Sequence, residues 1–184
     1  GDFVWTGIDY LGESGIGKYY YAGENNTEFF VSAQWPWHSS YCGDIDLIWQ
    51  RKPISHYREI LYSDKPSLFM YVKEPEGYYG SINGSMWGTY PSWESWTWPG
   101  YEGKPIEIEV ITKFPAVRLY VNGSEYDTKK VTYDTRYKAI FSVPYEAGNI
   151  KAVALDKNGD ETDYLSIMET AGNPAAVKLT ANRN

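Results

Sequence analysis

Residues 64–170 consist of short β-rich runs separated by turn signals, and this pattern restricts the possible folds more than any other feature of the chain. Two Asn-Gly pairs, Asn122-Gly123 and Asn158-Gly159, each separate two apolar runs, as in hairpins with type I′ turns. The run IEIEVI at residues 106–111 mainly alternates apolar and acidic residues, which indicates one buried face and one largely wet face. We therefore predict an all-β sandwich over residues 63–170.

Residues 1–62 show a different sequence pattern, which is not a series of short β-type runs. Phe3, Val4, Trp5 and Ile8 form a short apolar run typical of a buried strand, and residues 13–47 then show no sustained periodicity. In KPISHYREILYS, Pro53 precedes Ser55 as a candidate N-cap, and apolar residues recur at helical spacing afterwards. This segment is predicted to contain a strand, a long loop and a helix.

The tail, residues 171–184, begins with a Gly/Pro break and offers one short β-type run, residues 177–180. We predict that it is a linker and the start of a further domain.

Composition narrows the classes of partner. The net charge is −7, from 17 basic and 24 acidic residues, so nucleic acid is not an expected partner. No apolar run approaches the length of a membrane span, so no membrane partner is expected either. Cys42 is the one cysteine, which excludes an internal disulfide. Aromatic residues make up 17% of the chain, including eight Trp and eighteen Tyr, and this favours outward rings that contact sugar or protein.

Four segments of the sequence together resemble a known family. The segments GDFVWTGIDYLGE and WPWHSSYCGDIDLIWQRKPISHYREILYS resemble the end of the catalytic barrel of glycoside hydrolase family 2, particularly the β-galactosidase-like enzymes of Bacteroidetes. The later segments VRLYVNG and FSVPYEAGNIKAVALDKNG are similar to the immunoglobulin-like domain that follows that barrel. The resemblance implies a mainly β chain, with an immunoglobulin-like β-sandwich (63–170) preceded by the last strand, loop and helix of a (β/α)8 barrel (1–62).

The resemblance also implies which residues take part in function. Both catalytic glutamates of that family lie on earlier barrel strands, so we expect no catalytic residue here. Trp5 matches the tryptophan that walls the sugar subsite, and Asp9 and Glu13 match the loop after it more weakly. Cys42 and Trp49 stand where related sequences often have an aromatic residue and a Gly. Neither a metal site nor a cofactor is expected.

The segment SMWGTYPSWESWTWPGYEGK is too rich in Trp, Gly and Pro for an ordinary strand. We predict that its tryptophans contact either a second sugar or a neighbouring domain. These residues are Trp87, Trp93, Trp96 and Trp98.

Together these features predict part of a β-galactosidase-like hydrolase that acts on terminal sugars of glycans, in the periplasm or outside the cell. The chain alone is expected to be inactive. Its expected partners are carbohydrate, the remaining domains of the parent enzyme and a second copy of itself, because the apolar run at residues 3–8 lacks neighbouring barrel strands. The alternatives are a non-catalytic carbohydrate-binding module and a structural spacer.

Overall fold

The computed structural model describes residues 4–12, 16–17, 19–21, 39–84 and 88–177. Within these residues it contains one helix and ten strands, and no helix is long and apolar enough to cross a membrane. The elements are β1 (Tyr19–Tyr21), α1 (Pro53–Tyr62), β2 (Leu68–Lys73), β3 (Ile82–Gly84), β4 (Ser92–Trp93), β5 (Pro105–Thr112), β6 (Ala116–Val121), β7 (Ser124–Lys130), β8 (Lys138–Pro144), β9 (Asn149–Leu155) and β10 (Glu161–Glu169).

The predicted immunoglobulin-like sandwich is confirmed. One four-stranded sheet has the order β4-β2-β5-β8 and the other has the order β10-β9-β6-β7, and every pairing is antiparallel. The two sheets enclose one core. Most of its members are apolar side chains from alternate strand positions, among them Met70, Ile106, Ile108, Leu119, Phe141 and Ile150.

The second face of β5 is less wet than the sequence suggests. Ile111 and Glu109 are both buried there, because α1 packs across β2 and β5 from outside the sandwich. Ile60 of the helix packs with Tyr71 and Ile111 in a small cluster. The alternation at residues 106–111 therefore gives the strand correctly, but it does not reveal that a helix covers the polar side.

Helix α1 begins at Pro53, which occupies the first turn, and Lys52 is the N-cap residue. Ser55 is therefore not the N-cap, as the sequence had suggested. Proline is well suited to the first helical position, since its fixed φ matches the helix and its missing N–H would have no partner there.

The N-terminal run does not form the predicted strand in its described part, and Phe3 lies outside the described residues. Ile8 makes only an isolated parallel bridge with Ile45. The Thr6 hydroxyl donates to the Ile8 carbonyl at 2.7 Å and accepts from the Ile8 amide at 3.3 Å. These local bonds bend the backbone and compete with a β-ladder. Pairing of this region with the sandwich side occurs instead between β1 and β3.

The first predicted hairpin turn is confirmed, since Asn122 and Gly123 have φ of 49° and 80° between β6 and β7. The second predicted hairpin is also present, since β9 pairs with β10, but the prediction of a type I′ turn there is wrong. At Asn158-Gly159 only Gly159 has positive φ, 89°, and the Asp156 amide donates to the Asp160 carbonyl. The loop thus has three residues, and a loop of that length needs positive φ only at its last position.

In the tail, residues 171–177 form no strand, and Val177 is exposed. The remainder of the predicted short run lies outside the described residues. The further domain stays a prediction.

Candidate functional site

A buried ion pair organises the segment that carries the sequence-predicted site. Asp9 is 4% exposed, and its Oδ1 accepts from Lys52 Nζ at 2.8 Å and from the Gly43 amide at 2.7 Å. The same ammonium donates to the Tyr41 carbonyl at 2.9 Å and lies 3.7 Å from the centre of the Tyr41 ring. Asp9 thus uses Oδ1 to join residue 43 and Lys52, and so braces the loop around it.

Gly43 is required at this point for a steric reason. A Cβ on Gly43 would lie 2.4 Å from the Asp9 amide nitrogen and from the Ile8 carbonyl carbon, both of which are backbone atoms. The backbone of residues 8–9 can therefore approach residue 43 only because that residue has no side chain. This close approach fixes the base of the segment on which Trp5 stands.

Trp5 is 66% exposed and lines an open cleft together with Tyr41, Cys42, Asp44 and Arg58. Asp44 is not free, because its Oδ2 lies 2.8 Å from Arg58 Nε. An exposed indole beside polar groups offers a flat apolar face, the kind of surface on which a sugar ring stacks. Glu13, the third predicted sugar-binding residue, lies outside the described residues.

The acids of this cleft do not form a free pair. A retaining glycosidase uses two carboxyl groups about 5–5.5 Å apart, one as nucleophile and one as acid. Asp9 and Asp44 are each held in an ion pair with a basic side chain. Among the described residues, no group of three or more His, Cys, Asp and Glu side chains is placed to hold a metal ion.

The Trp-rich segment divides into buried and exposed members. Trp96 and Trp98 lie in the sandwich core, and Trp96 Nε1 donates to the Glu146 carbonyl at 3.0 Å. The prediction that these two rings contact sugar or another domain is therefore wrong, because both rings are buried between the two sheets. Trp93 is 42% exposed, and Trp87 lies outside the described residues.

Glu74 is a buried carboxylate that the sequence reading missed. It follows β2, is 2% exposed and accepts hydrogen bonds from the Tyr21 hydroxyl at 2.8 and 3.0 Å and from Trp93 Nε1 at 3.1 Å. Its carbonyl accepts from the Tyr90 hydroxyl at 3.1 Å. No salt bridge to Glu74 occurs among the described residues. Its side-chain partners are 53 and 19 residues away, so no local pattern could have revealed it.

Glu74 ties the N-terminal segment to the sandwich. Tyr21 belongs to β1 and Trp93 belongs to β4, and one carboxylate holds both. Burial, with Tyr41 and Glu74 nearby, raises the pKa of Tyr19 to about 12. Burial and the hydrogen bond to Glu74 raise the pKa of Tyr21 as well. Both phenols are therefore neutral donors at physiological pH.

Two clefts meet along this junction. One is lined by Tyr90, Gln50 and Glu94 and the other by Tyr79, and both share Tyr19, Trp93 and Ser95. We call these two clefts together the junction groove. Its walls carry several aromatic rings, and the ring centres of Tyr19 and Tyr21 are 6.2 Å apart in an edge-to-face arrangement.

Comparisons with known proteins give one family model that matches part of the chain and several relatives that match nearly all of it. A family model described as "Domain of unknown function (DUF4982)" matches residues 103–163, from β5 to β10. A β-galactosidase of Bacteroides ovatus is 28% identical over all of this chain, which covers 17% of that protein. A glycosyl hydrolase family 2 structure from Bacteroides cellulosilyticus superimposes with a TM-score of 0.81 at 32% identity, over 99% of this chain and 23% of that one.

A third relative is a β-glycosidase structure from Bacteroides vulgatus, with a TM-score of 0.64 and 25% identity. That match covers 97% of this chain and 17% of the other. The chain thus spans only about a fifth of the length of the relatives it matches. The sugar-binding roles of Trp5, Asp9 and Glu13 stay predictions.

Proposed function

Because the chain is homologous along its length to part of glycoside hydrolase family 2 proteins, we propose that it forms part of a β-galactosidase-like hydrolase that acts on terminal sugars of glycans. In this proposal residues 1–62 supply the end of the catalytic barrel and residues 63–170 form an accessory sandwich. The catalytic acids belong to another part of the longer protein. That protein works in the periplasm or outside the cell.

The observation that carries the proposal is the exposed indole of Trp5 above a rigid base. Its side chain is 66% exposed, and Lys52, which lines the same cleft, forms a buried ion pair with Asp9, four residues after Trp5 in the chain. A surface indole on a fixed backbone presents one apolar ring face to a flat partner, such as the C–H face of a pyranose. This supports Trp5 as a wall of a sugar subsite.

The state of the cleft acids supports the inactivity of the chain by itself. Asp9 is buried and bonded to Lys52 and Gly43, and Asp44 is paired with Arg58. Neither carboxylate has the solvent-facing, uncommitted geometry that a nucleophile or an acid/base residue needs. The proposal therefore places chemistry elsewhere and substrate contact here.

The test compares this chain with the longest expressed protein that contains it, using p-nitrophenyl β-D-galactoside as substrate. We expect hydrolysis by the longer protein and none by the chain. In the longer protein, Trp5→Ala should lower kcat/KM about tenfold or more, because a stacking surface is lost. Trp49→Ala is the matched control, since Trp49 is also a highly exposed tryptophan, at 73%, and does not line the Trp5 cleft.

Two results would contradict the proposal. The first is turnover by the chain alone that disappears on Asp44→Asn, which would place a catalytic acid in this cleft. The second is a longer protein that is fully folded, as judged by its melting curve, yet does not cleave the galactoside.

A further inference from the structure

We propose that the junction groove between β1 and β4 binds a neutral oligosaccharide, with Trp93 and Tyr19 as its central aromatic walls. This site is built from residues other than Trp5 and does not rest on the proposed hydrolase function. It joins the N-terminal segment and the sandwich, so it exists only when both are folded together.

The shape of the groove fits an extended ligand. The cleft at the Tyr90 end and the cleft at the Tyr79 end share Tyr19, Trp93 and Ser95, so one ligand can run past the shared residues from one end to the other. Trp93, Tyr90 and Tyr79 are 42%, 41% and 63% exposed, and this leaves ring surface available at the centre and at both ends. Aromatic surface at successive positions is suited to successive sugar rings.

Some of the polar side chains that line the groove are uncommitted. Gln50, Thr89 and Glu94 line it, and their side chains make no hydrogen bond or ion pair with another described residue. The hydroxyls of Tyr19 and Tyr79 are likewise without a hydrogen-bond partner in the described part of the chain. Aromatic faces that alternate with free donors and acceptors match the chemistry of a sugar, which has apolar C–H faces and a hydroxyl rim.

The walls are held in place before a ligand arrives. Glu74 accepts a hydrogen bond from Trp93 Nε1 at 3.1 Å and so fixes the indole on the sandwich side. On the other side, Tyr19 packs edge-to-face against Tyr41, with ring centres 5.8 Å apart, as well as against Tyr21. A fixed aromatic wall loses little conformational entropy on binding.

Charge argues for a neutral ligand. The basic side chains that line the groove already have acidic partners: Arg51 NH1 lies 2.6 Å from Glu59, and Lys52 is paired with Asp9. Glu94 brings an unpaired negative charge to the rim. A phosphate or a uronate would therefore meet repulsion without a compensating free cation among the described lining residues.

The test is isothermal titration calorimetry of the chain with the β-1,4-linked tetrasaccharides of galactose, glucose, xylose and mannose. Trigalacturonate is the anionic comparison. We expect at least one neutral tetrasaccharide to bind with Kd of about 1 mM or tighter, and trigalacturonate not to bind. For the ligand that binds, Trp93→Ala should weaken the affinity about tenfold or more.

Two further variants keep the test decisive if Trp93→Ala perturbs folding. Gln50→Ala changes only an exposed rim group and should weaken binding about threefold with an unchanged melting temperature. Trp93→Phe keeps a ring and should bind more tightly than Trp93→Ala. Trp49→Ala removes an exposed tryptophan outside the groove and should leave the affinity unchanged.

Three outcomes would overturn the proposal. One is the absence of binding by all four neutral tetrasaccharides at about 10 mM, ten times the expected Kd. Another is binding that survives both Trp93→Phe and Gln50→Ala unchanged but is lost in Trp5→Ala, which would locate the ligand in the Trp5 cleft. The third is preferential binding of trigalacturonate. None of these outcomes depends on whether the longer protein hydrolyses a galactoside.

Discussion

The carboxylate of Glu74 provides the sharpest test of how the N-terminal segment is attached to the sandwich. It is 2% exposed, it accepts from Tyr21 and Trp93, and no basic side chain is paired with it in the described part of the chain. Replacing it by alanine removes the acceptor that the Tyr21 hydroxyl and the Trp93 indole N–H share. The variant Glu74→Ala therefore breaks the link between β1 and β4 directly.

The magnitude follows from the two bonds. A hydrogen bond to a charged group contributes about 1.5–3 kcal/mol, so two partners give about 3–6 kcal/mol. Part of this is offset, because the variant no longer buries a charge that lacks a cation. We expect the free energy of unfolding to fall by about 2–4 kcal/mol in Glu74→Ala. Tyr21→Phe should cost about 1.5–3 kcal/mol by itself, since it removes one of the two charged bonds.

The assay is a double-mutant cycle in urea, followed by far-UV circular dichroism, with Glu74→Ala, Tyr21→Phe and the double variant. Hydrogen exchange at the amides of β1 and β3 reports local opening of this two-stranded sheet in the same variants. We expect a coupling free energy of about 1 kcal/mol or more. Tyr79→Phe is the control, since the Tyr79 hydroxyl has no hydrogen-bond partner among the described residues, and it should change little.

A coupling below about 0.5 kcal/mol, within the range found for independent sites, would refute the reasoning. That result would mean that Glu74 and Tyr21 contribute separately. The N-terminal segment would then be held to the sandwich side by the β1–β3 pairing and by the apolar contacts of α1.

Three other perturbations test separate parts of the structure. Gly123→Ala should destabilise the chain by about 1 kcal/mol in thermal unfolding, because φ is 80° there, whereas Gly172→Ala, at an open position without positive φ, should not. Trp49→Gly should stabilise by about 0.5–1 kcal/mol in urea, since an exposed tryptophan has φ of 67°, whereas Ile48→Gly in the same loop should give no gain. Burial opposes ionisation of Glu109, but hydrogen bonds from Lys138 and Tyr71 and the nearby charges of Lys138 and Lys73 lower its pKa below the ordinary 4.5. Its contribution to stability is thus present above about pH 4.5 and lost as the pH falls, and Glu109→Gln should make urea unfolding less dependent on pH in that acid range.

The sandwich could be predicted from sequence because its signals are local. The Asn122-Gly123 pair sets a two-residue turn through its own φ preferences, and the alternation in β5 follows from the period of a strand. The resemblance to the end of the catalytic barrel likewise directed attention to Trp49, where related sequences often have Gly. The structure gives the physical meaning of that position, a left-handed backbone conformation that glycine adopts without strain.

The remaining features depend on contacts between distant parts of the chain. Trp96 and Trp98 lie in a segment that reads as a surface loop, yet the core between the two sheets buries them. The burial of Ile111 requires α1 to lie across β5, which no pattern within β5 encodes. Glu74 carries no local signal because its partners come from β1 and β4. Local sequence propensity predicts helices and strands well. Tertiary packing decides which of their surfaces another part of the chain buries.

Helix α1 and residues 4–11 differ in how far their apolar side chains are covered, and this difference bears on the predicted self-association. Helix α1 has its apolar side covered by the sandwich, where His56 stacks on Phe69 with ring centres 3.8 Å apart and Tyr57 donates to the Arg136 carbonyl at 2.9 Å. The helix therefore offers little reason for two chains to pair. Residues 4–11 retain exposed apolar side chains, including Val4, Trp5 and Leu11. A pairing that covers Trp5 would bury its indole, so that self-association and sugar stacking on Trp5 would compete for the same surface.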